Sequence, residues 1–337
     1  MSKNILIIGG AGFIGSNASK YYLENGDKVI IFDNFSRKGC KSNIQWLQEL
    51  GGKLQVVEGD IRHNTRVLRR IVAEANKVLH LAGQVAVTTS VENPLEDFEI
   101  NAGGTMNVLE AIRKSDNKPP LIYSSTNKVY GGMENAKVAE KKTRYVYKSF
   151  PYGISEEFPL DFHSPYGCSK GASDQYVRDY ARVYGLQTVV FRQSCIYGPR
   201  QYGVEDQGWL AWFIIALLNN KKITIYGDGK QVRDVLYIDD LVKAYDLAFE
   251  NMGKISGSVY NVGGGPKHSL SVWCELRPIL EDLLDKEIEV DYGGWRPGDQ
   301  KIFISDIRKI KKDLGWSPKI EPKKGIKRLL GWVKHTN

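Results

Sequence analysis

The chain has 337 residues, of which 42% are hydrophobic and 26% are charged, and its formal net charge is +8. This length and composition predict a globular protein with a large core and one or two domains. No apolar run reaches membrane-spanning length and no secretory leader precedes the first strand, so we expect a cytoplasmic protein without a membrane partner. The cysteines and histidines lack metal-ligand spacing, so we expect no metal site.

The N-terminal segment predicts a dinucleotide-binding turn. Residues 4–8 end in four consecutive apolar residues, as in a buried parallel strand, and Gly9, Gly12 and Gly15 follow at intervals of three before a helix. Such glycines permit a tight bend, close approach of a pyrophosphate and close helix–strand packing. The anion then lies at the helix N-terminus. A glycine-rich turn without a ligand is the alternative.

A carboxylate ends the second predicted strand, at residues 28–32. Asp33 lies about twenty residues beyond the glycines, where a carboxylate accepts hydrogen bonds from the adenosine ribose. Its charge would repel a 2′-phosphate, so we expect NAD rather than NADP. Arg37 and Lys38 are nearby cations of the kind that accommodate that phosphate, and they weaken this preference.

Further strands are predicted at residues 78–82, 121–124 and 188–192. Their alternation with helices favours the α/β class, with a Rossmann-type doubly wound parallel sheet. The strand at residues 121–124 runs into a hydroxyl-rich turn, residues 124–131. Because ligands of such folds bind at the carboxyl ends of the strands, this turn is a candidate for contact with a substrate.

Tyr166 and Lys170 are the principal candidates for catalysis. They lie four residues apart at the start of a predicted helix, so they share one helical face. Because an ammonium group stabilises a phenolate, we expect a lowered pKa for Tyr166. Such a tyrosine takes a proton from a sugar hydroxyl and later returns it. By itself the pair also permits a purely structural interpretation.

The pattern changes near Gly198. Residues 209–218 predict an apolar helix, and residues 222–227 predict a short strand that ends in a turn. We therefore predict an NAD-binding Rossmann domain at residues 1–197 plus about 234–265. A smaller, C-terminal substrate-binding domain is predicted at about 198–233 and 266–337.

Together these segments resemble the extended short-chain dehydrogenases/reductases, in the NAD-dependent epimerase/dehydratase family. The motifs that carry the resemblance cover nearly the whole chain and follow the family's order: residues 9–15, Asp33, Asp60-Ile61, 80–83, Asn101, 124–131, Tyr166/Lys170, 191–200 and 233–240. The resemblance implies chemistry on nucleotide-linked sugars with bound NAD. The cofactor-binding residues that it implies are Gly9, Gly12, Phe13, Ile14, Asp33, Asn34, Ser36, Arg37, Asp60, Ile61, Leu81, Ala82, Gln84, Asn101, Ser124, Tyr166 and Lys170.

Two residues bear on the type of reaction. The family's 4,6-dehydratases carry Asp-Glu directly after the catalytic Thr, where this chain has Asn127 and Lys128. An amide and a cation do not supply that carboxyl chemistry, so we expect epimerisation rather than dehydration. Residues 83–90, 125–131, 160–172 and 202–212 resemble the branch that inverts C2 of CDP-linked deoxyhexoses, of the CDP-paratose to CDP-tyvelose type.

This branch implies that Tyr166 removes the proton of the C2 hydroxyl while NAD takes the C2 hydride. A 2-keto sugar then turns in the pocket before hydride and proton are returned. The resemblance implies that Lys170 lowers the pKa of Tyr166 and binds the nicotinamide ribose. Thr126 would hydrogen-bond the sugar oxygen.

The same resemblance implies a CDP-sugar substrate. The expectation that the base is cytidine depends only on the similarity to that branch. Arg233 and Arg296 resemble the diphosphate-binding arginines, since guanidinium groups match phosphate oxygens. Asp299 would bind the nucleotide ribose or orient an arginine. Thr88 and Asn127 are candidates for the sugar pocket, with loop capping an equal alternative. The predicted substrate-binding residues are Thr88, Thr126, Asn127, Gln193, Gln201, Arg233, Arg296 and Asp299.

Two alternative functions stay open. One is a UDP-hexose 4-epimerase, and the other is a non-catalytic NAD-binding or RNA-associated protein. The positive net charge is compatible with an RNA-associated protein. However, the basic residues are spread along the chain without aromatic stacking motifs, so we expect no nucleic-acid partner. The retained Tyr166 and Lys170 favour an enzyme. Relatives often pair through two helices, here near residues 105–114 and 166–184, which implies a homo-oligomer, either a dimer or a tetramer.

Overall fold

The computed structural model describes residues 2–205, 207–295 and 299–336. The chain forms two compact units. The first comprises Met1–Thr126, Ser164–Arg192 and Val242–Tyr260, and the second comprises Asn127–His163, Gln193–Leu241 and Asn261–Asn337. Among the described residues, no helix combines the length and apolar character that crossing a membrane requires.

Fifteen strands occur in the described ranges. In chain order they are β1 (Asn4–Ile8), β2 (Lys28–Asp33), β3 (Lys53–Glu58), β4 (Lys77–His80), β5 (Leu121–Thr126), β6 (Val138–Glu140), β7 (Tyr145–Tyr147), β8 (Thr188–Gln193), β9 (Cys195–Tyr197), β10 (Thr224–Tyr226), β11 (Val232–Tyr237), β12 (Val259–Val262), β13 (Ser269–Ser271), β14 (Asp291–Gly293) and β15 (Ile302–Phe303).

The α-helices of the same ranges are α1 (Phe13–Glu24), α2 (Cys40–Glu49), α3 (Thr65–Glu74), α4 (Val87–Glu92), α5 (Pro94–Phe98), α6 (Gly104–Arg113), α7 (Ser164–Tyr184), α8 (Trp209–Leu218), α9 (Ile238–Glu250), α10 (Met252–Ile255), α11 (Leu276–Leu284), α12 (Arg308–Leu314) and α13 (Pro322–Thr336). A π-helical turn, Glu99–Gly103, joins α5 to α6. Short 3-10 helices span Asn127–Tyr130 and Pro266–His268.

The first unit is built on a seven-stranded sheet with the order β12-β8-β5-β4-β1-β2-β3. The pairs β3–β2, β2–β1, β1–β4 and β4–β5 are parallel. This order reverses direction between β1 and β4, which is the switch point where doubly wound sheets bind ligands. The predicted α/β Rossmann-type sheet is therefore confirmed.

Apolar side chains hold this sheet between its helices. Residues Ile5–Ile8 of β1 are fully buried, as expected for a strand that is covered on both faces. One face packs against α3, α6 and α7, which contribute Leu68, Val108 and Val177 to a common core. In α3 the buried residues recur at helical spacing while arginines occupy the exposed face, so amphipathicity alone orients this helix.

The second unit contains smaller sheets. Strand β11 pairs in parallel with β9 and β15 and antiparallel with β13. Two further pairs, β10–β14 and β6–β7, are parallel and antiparallel, respectively. The apolar helix predicted at residues 209–218 is α8, Trp209–Leu218. Strand β11 carries Arg233, so this sheet positions the predicted diphosphate-binding arginine.

Candidate active site

The glycines after β1 form a tight cradle. Gly9 has φ of 83°, and a Cβ there would lie 2.6 Å from the amide nitrogen of Ala82. A Cβ at Gly15 would lie 2.3 Å from the carbonyl oxygen of Gly9. Helix α1 then begins after Gly12, and no side chain caps it. The cradle thus leaves a bare helix N-terminus at the switch point of the sheet, which suits a pyrophosphate.

Asp33 is held at the end of β2 beside this cradle. One carboxylate oxygen accepts the Ala11 N–H at 3.0 Å and the other accepts the Phe35 N–H at 2.9 Å. Burial raises the pKa of Asp33, and these backbone hydrogen bonds oppose the rise. Arg37 lies close enough to Asp33 and Tyr166 to interact with both charges. The carboxylate is therefore held in place at the position where the sequence predicts contact with the adenosine ribose.

The other predicted adenosine contacts lie on neighbouring turns. The Asn34 amide donates to Asp60 at 2.9 Å, and the Ser36 N–H donates to the Asn34 side chain at 3.1 Å. Burial raises the pKa of Asp60 while hydrogen bonds from Arg62 lower it. The second effect dominates, so Asp60 stays ionised. Ile61, the next residue, is buried against the core.

The turn after β4 closes the other side of the cradle. The N–H groups of Leu81 and Ala82 both donate to the carbonyl oxygen of Ile8, at 2.8 and 2.9 Å. The Gln84 amide donates to the Ala86 carbonyl at 2.7 Å and accepts the Ala86 N–H in return. The Gln84 side chain is therefore hydrogen-bonded within its own loop.

Thr126, Tyr166 and Lys170 come together in the first unit. Tyr166 and Lys170 lie on α7 and are 8% and 5% exposed. The Lys170 ammonium donates to the Ser124 carbonyl oxygen at 2.6 Å and lies 4.3 Å from the centre of the Tyr123 ring. The Thr126 and Tyr166 side chains are hydrogen-bonded. The end of β5 and the start of α7 therefore assemble a hydroxyl, a phenol and an ammonium group.

The charges of this group differ from the sequence-based expectation. Burial raises the pKa of Tyr166 to about 12, although the hydrogen bond with Thr126 opposes this. Burial also lowers the pKa of Lys170 to about 7, against the attraction of Asp174 and Asp97. The prediction of a lowered Tyr166 pKa is therefore wrong for this structure. Desolvation penalises both charged forms, and helical spacing alone does not reveal how deeply the pair is buried.

Two buried carboxylates near Lys170 were missed by the sequence reasoning. Asp174 lies four residues after Lys170 on α7, accepts from Ser125 at 2.9 Å and pairs with Arg192 at 2.9 Å. Asp97 on α5 accepts from Ser169 and from the Asn101 amide. Asp97 precedes Asn101 by four residues, so helical spacing from the predicted site residues was the available signal in both cases.

The second unit groups the predicted diphosphate ligand with two other charges. Arg233 is buried on β11, donates to Asp299 at 2.6 Å and donates to the Val232 carbonyl at 2.8 Å. Burial and the nearby charge of Arg233 lower the pKa of Lys128 to about 8, while Asp299 opposes this. Lys128 thus joins Arg233 and Asp299. Arg296, the other predicted arginine, lies outside the described residues.

The remaining predicted substrate residues are placed as follows. Thr88 is exposed on α4, which packs against α7. Asn127 opens the 3-10 helix after β5, and Gln193 is buried at the end of β8. The Gln201 amide donates to the Ile196 carbonyl at 3.2 Å, whereas its buried side-chain oxygen has no hydrogen-bond partner. Within the described ranges, no cluster of three or more His, Cys, Asp or Glu residues could hold a metal ion.

Comparison with known proteins assigns the family. The profile of the family described as GDP-mannose 4,6 dehydratase matches residues 6–329. The CDP-paratose 2-epimerase of Salmonella typhi is 48% identical over 335 residues, which cover 98% of each chain. The chain therefore belongs to this dehydratase family, within the epimerase/dehydratase group of short-chain dehydrogenases/reductases.

Similar solved structures also include nucleotide-sugar epimerases. The UDP-glucose 4-epimerase of Thermotoga maritima, solved with UDP-glucose, has a TM-score of 0.83 at 33% identity and covers 99% of each chain. The UDP-glucuronic acid 4-epimerase of Bacillus cereus, solved with UDP-glucuronic acid and NAD, has a TM-score of 0.82 at 29% identity; the match covers 99% of this chain and 100% of that one. The comparisons confirm the predicted family, the prediction of a nucleotide-sugar epimerase, and NAD as the cofactor.

Proposed function

We propose that this protein is an NAD-dependent epimerase that inverts C2 of a CDP-linked deoxyhexose, of the CDP-paratose to CDP-tyvelose type. The main support for this proposal is the full-length similarity to CDP-paratose 2-epimerase, at 48% identity. The assembled Thr126, Tyr166 and Lys170 support a proton-transferring enzyme rather than a binding protein. The same group argues against the RNA-associated alternative, which has no use for a buried phenol beside an ammonium group.

The glycine cradle and Asp33 fit the dinucleotide that the family uses. Gly9, Gly12 and the first turn of α1, with Phe13 and Ile14, would hold the pyrophosphate, while Asp33 with Asn34, Ser36 and Arg37 would hold the adenosine ribose. Asp60 and Ile61 would lie along the adenine, and Leu81, Ala82 and Gln84 would lie along the middle of the cofactor. Ser124, Asn101 and Lys170 would serve the nicotinamide end.

The chain's own chemistry at the sugar is proton transfer. When bound, NAD supplies a hydride acceptor and, in its oxidised form, a positive charge. The Tyr166 phenolate oxygen takes the proton of the C2 hydroxyl as the C2 hydride leaves, which produces a 2-keto sugar. Thr126 hydrogen-bonds the reacting oxygen and the phenol. After the sugar turns, hydride returns to the opposite face of C2 and Tyr166 gives back its proton.

Ionisation of Tyr166 is the costly part of this scheme. Burial holds its pKa near 12, so the phenolate needs a neighbouring positive charge. Lys170 in its charged form supplies one, and Arg37 lowers the Tyr166 pKa as well. With a pKa of about 7, Lys170 gains and loses its proton near neutral pH, so its charged form is available there to support the phenolate.

Arg233 is the proposed diphosphate ligand of the second unit, together with Arg296. Asp299 contacts Arg233 at 2.6 Å, which favours its role in orienting the arginine over a direct contact with the ribose. Lys128 adds a second cation to this group. Asn127 and Lys128 take the places of the dehydratase carboxyl pair, so dehydration lacks its acid and base. Gln193, Gln201 and Thr88 remain proposed contacts of the sugar nucleotide.

A UDP-hexose 4-epimerase is the second candidate. It is favoured by the likeness to the 4-epimerases of Thermotoga maritima and Bacillus cereus. Both candidates share the Tyr166 chemistry and differ in which sugar carbon is oxidised. A test must therefore report the carbon that is inverted.

The test is proton NMR of purified protein in deuterated water with CDP-tyvelose, CDP-glucose or UDP-galactose, with the Tyr166→Phe variant as the matched control. A new C2 epimer that keeps its C2 hydrogen supports the proposal. Deuterium at C2 would point to proton abstraction through an enol. Conversion of UDP-galactose alone would show a 4-epimerase instead. If none of the three sugar nucleotides were converted, both epimerase candidates would be rejected.

We also propose a homo-oligomer that pairs through α6 and α7, as the sequence predicts, together with α4 and α5, the helices that precede α6. Several large apolar side chains are exposed there: Val91, Leu95, Phe98, Tyr176, Val183 and Tyr184. These residues lie on α4, α5 and α7, and exposed apolar residues on neighbouring helices suit a helical interface. Light scattering should show a dimer or tetramer that Val183→Glu dissociates, whereas a monomeric wild-type protein would contradict the proposal.

A further inference from the structure

Asp97 is an ionisable group in a place that disfavours charge. It lies on α5 and is 1% exposed. Its carboxylate accepts hydrogen bonds from the Ser169 hydroxyl and, at 3.2 Å, from the Asn101 amide. An asparagine would fill the same volume without the cost of burying a charge. The charge of this carboxyl therefore calls for an explanation beyond packing.

The contacts of Asp97 lead directly to the reacting pair. Ser169 precedes Lys170 on α7, and its hydroxyl also contacts the Tyr166 carbonyl oxygen at 3.2 Å. The cation that faces Asp97 is Lys170. Tyr166 in turn faces Thr126, Asp97 and Arg37. One buried carboxylate thus acts on both members of the pair.

The other groups around Lys170 have their charges balanced or suppressed. Asp174 forms two hydrogen bonds of 2.9 Å with Arg192, so its charge already has a partner. Burial and the charge of Lys170 lower the pKa of His80 to about 3, so that imidazole is neutral. Tyr123 and the Ser124 carbonyl contribute a ring face and a dipole. Asp174 has the larger effect on Lys170 but is already paired with Arg192, and Asp97 is the second carboxylate that attracts the Lys170 charge.

We propose that Asp97 is a positioning residue whose negative charge favours the protonated forms of both Tyr166 and Lys170 and which, through Ser169, fixes the turn of α7 that carries both side chains. This inference rests on the proposed function, in which that pair exchanges a proton with the sugar. The electrostatics agree in direction, because Asp97 raises the pKa of Lys170 and also that of Tyr166.

The sign of the effect follows from these directions. A negative charge stabilises the protonated forms of both groups, so its removal lowers both apparent pKa values of the coupled pair. The rising limb of kcat against pH reports loss of the first proton from the pair. In Asp97→Asn this limb should move to lower pH by roughly one unit. Loss of a packing contact alone would lower the rate at every pH without moving the limb.

Glu110→Gln is the matched control. Glu110 also contacts α7, through Tyr180 at 2.8 Å, and forms ion pairs with Arg113 and Lys114. Its substitution removes a carboxylate on α6 that contacts α7 without touching the reacting pair, so the pH profile should stay in place. Asp97→Glu retains the charge and should restore the position of the limb. Asp97→Ser, a smaller neutral side chain, replaces Asp97→Asn if that variant does not fold.

A second readout does not depend on turnover. Tyrosine labelled with ¹³C at Cζ, in protein saturated with NAD, gives a Tyr166 resonance that Tyr166→Phe identifies by its loss. We expect the midpoint of its titration to fall in Asp97→Asn and Asp97→Ser and to hold in Glu110→Gln. An unmoved midpoint, with only a lower melting temperature, would overturn the proposal. Absence of epimerase activity in the wild-type protein would defeat the proposed function alone, since the titration can still be measured.

Discussion

The Lys170 ammonium donates a hydrogen bond to the Ser124 carbonyl oxygen at a distance of 2.6 Å. This bond ties the start of α7 to the end of β5, the two elements that carry Tyr166 and Thr126. The lysine is almost fully buried, so its side chain has one orientation rather than many. The geometry of the proposed catalytic residues is consequently set by the sheet and by α7.

Tyr166→Phe should abolish turnover and leave NAD binding intact. The substitution removes the proton-transferring oxygen but keeps the buried ring, and general acid–base groups contribute about a hundredfold or more to rate. Steady-state kinetics and NAD titration measure the two effects. Tyr180→Phe, on the same helix and hydrogen-bonded to Glu110, is the control and should keep its activity. Near wild-type turnover in Tyr166→Phe would remove Tyr166 from the mechanism.

Asp33→Asn should weaken NAD binding roughly tenfold, since a hydrogen bond to a charged acceptor is replaced by one to a neutral acceptor. Loss of the carboxylate should also shift the preference toward NADP. The control is Glu58→Gln, because Glu58 pairs with Asp33 in register on the neighbouring strand but is exposed. Calorimetric titration with both cofactors checks this, and unchanged affinities would end the ribose assignment.

Gly15→Ala should disrupt the cofactor cradle. The added methyl group would lie 2.3 Å from the Gly9 carbonyl oxygen, which is backbone and has little freedom to move. We expect a loss of about 1–3 kcal/mol in the free energy of unfolding, together with loss of NAD binding.

Gly331→Ala provides the contrast for this test, because a methyl group there meets no atom within 4 Å. Gly331 lies within α13, so alanine should stabilise the fold by about 0.5–1 kcal/mol. Chemical denaturation compares the two variants. Equal stability of both would contradict the assignment of Gly15 to a close contact.

Lys170→Met should abolish activity but raise stability, and the gain should be larger at pH 6 than at pH 10. Burial lowers the pKa of Lys170 from 10.5 to about 7, so between these values the unfolded chain binds the proton and the folded chain does not. Below pH 7 the folded protein carries the full cost of burying the charged ammonium group. This cost falls as the pH rises from 7 toward 10.5, so the stability of the wild-type protein increases over that range. Melting temperatures at the two pH values test this, with the exposed Lys254→Met as control; a gain that does not depend on pH would contradict it.

The buried parallel strands and the glycine cradle were predictable because local rules govern them. A buried parallel strand reads as a continuous apolar run, and only glycine fits the cradle at Gly9 and Gly15, whatever the rest of the chain does. The spacing of Tyr166 and Lys170 likewise follows from the helical repeat. Motifs of this kind are sufficient to predict the family, NAD and a nucleotide-sugar epimerase from the sequence alone.

Tertiary structure alone decided the electrostatics of the site. Whether Lys170 lowers the Tyr166 pKa depends on desolvation, and burial is set by β5, α5 and α7, which are far apart in the chain. Asp97 meets Ser169 across 72 residues, and Arg233 meets Asp299 across 66, so neither pairing follows from local spacing. Local chemistry is encoded in short motifs, whereas the charge state of a buried group depends on everything that the fold packs around it.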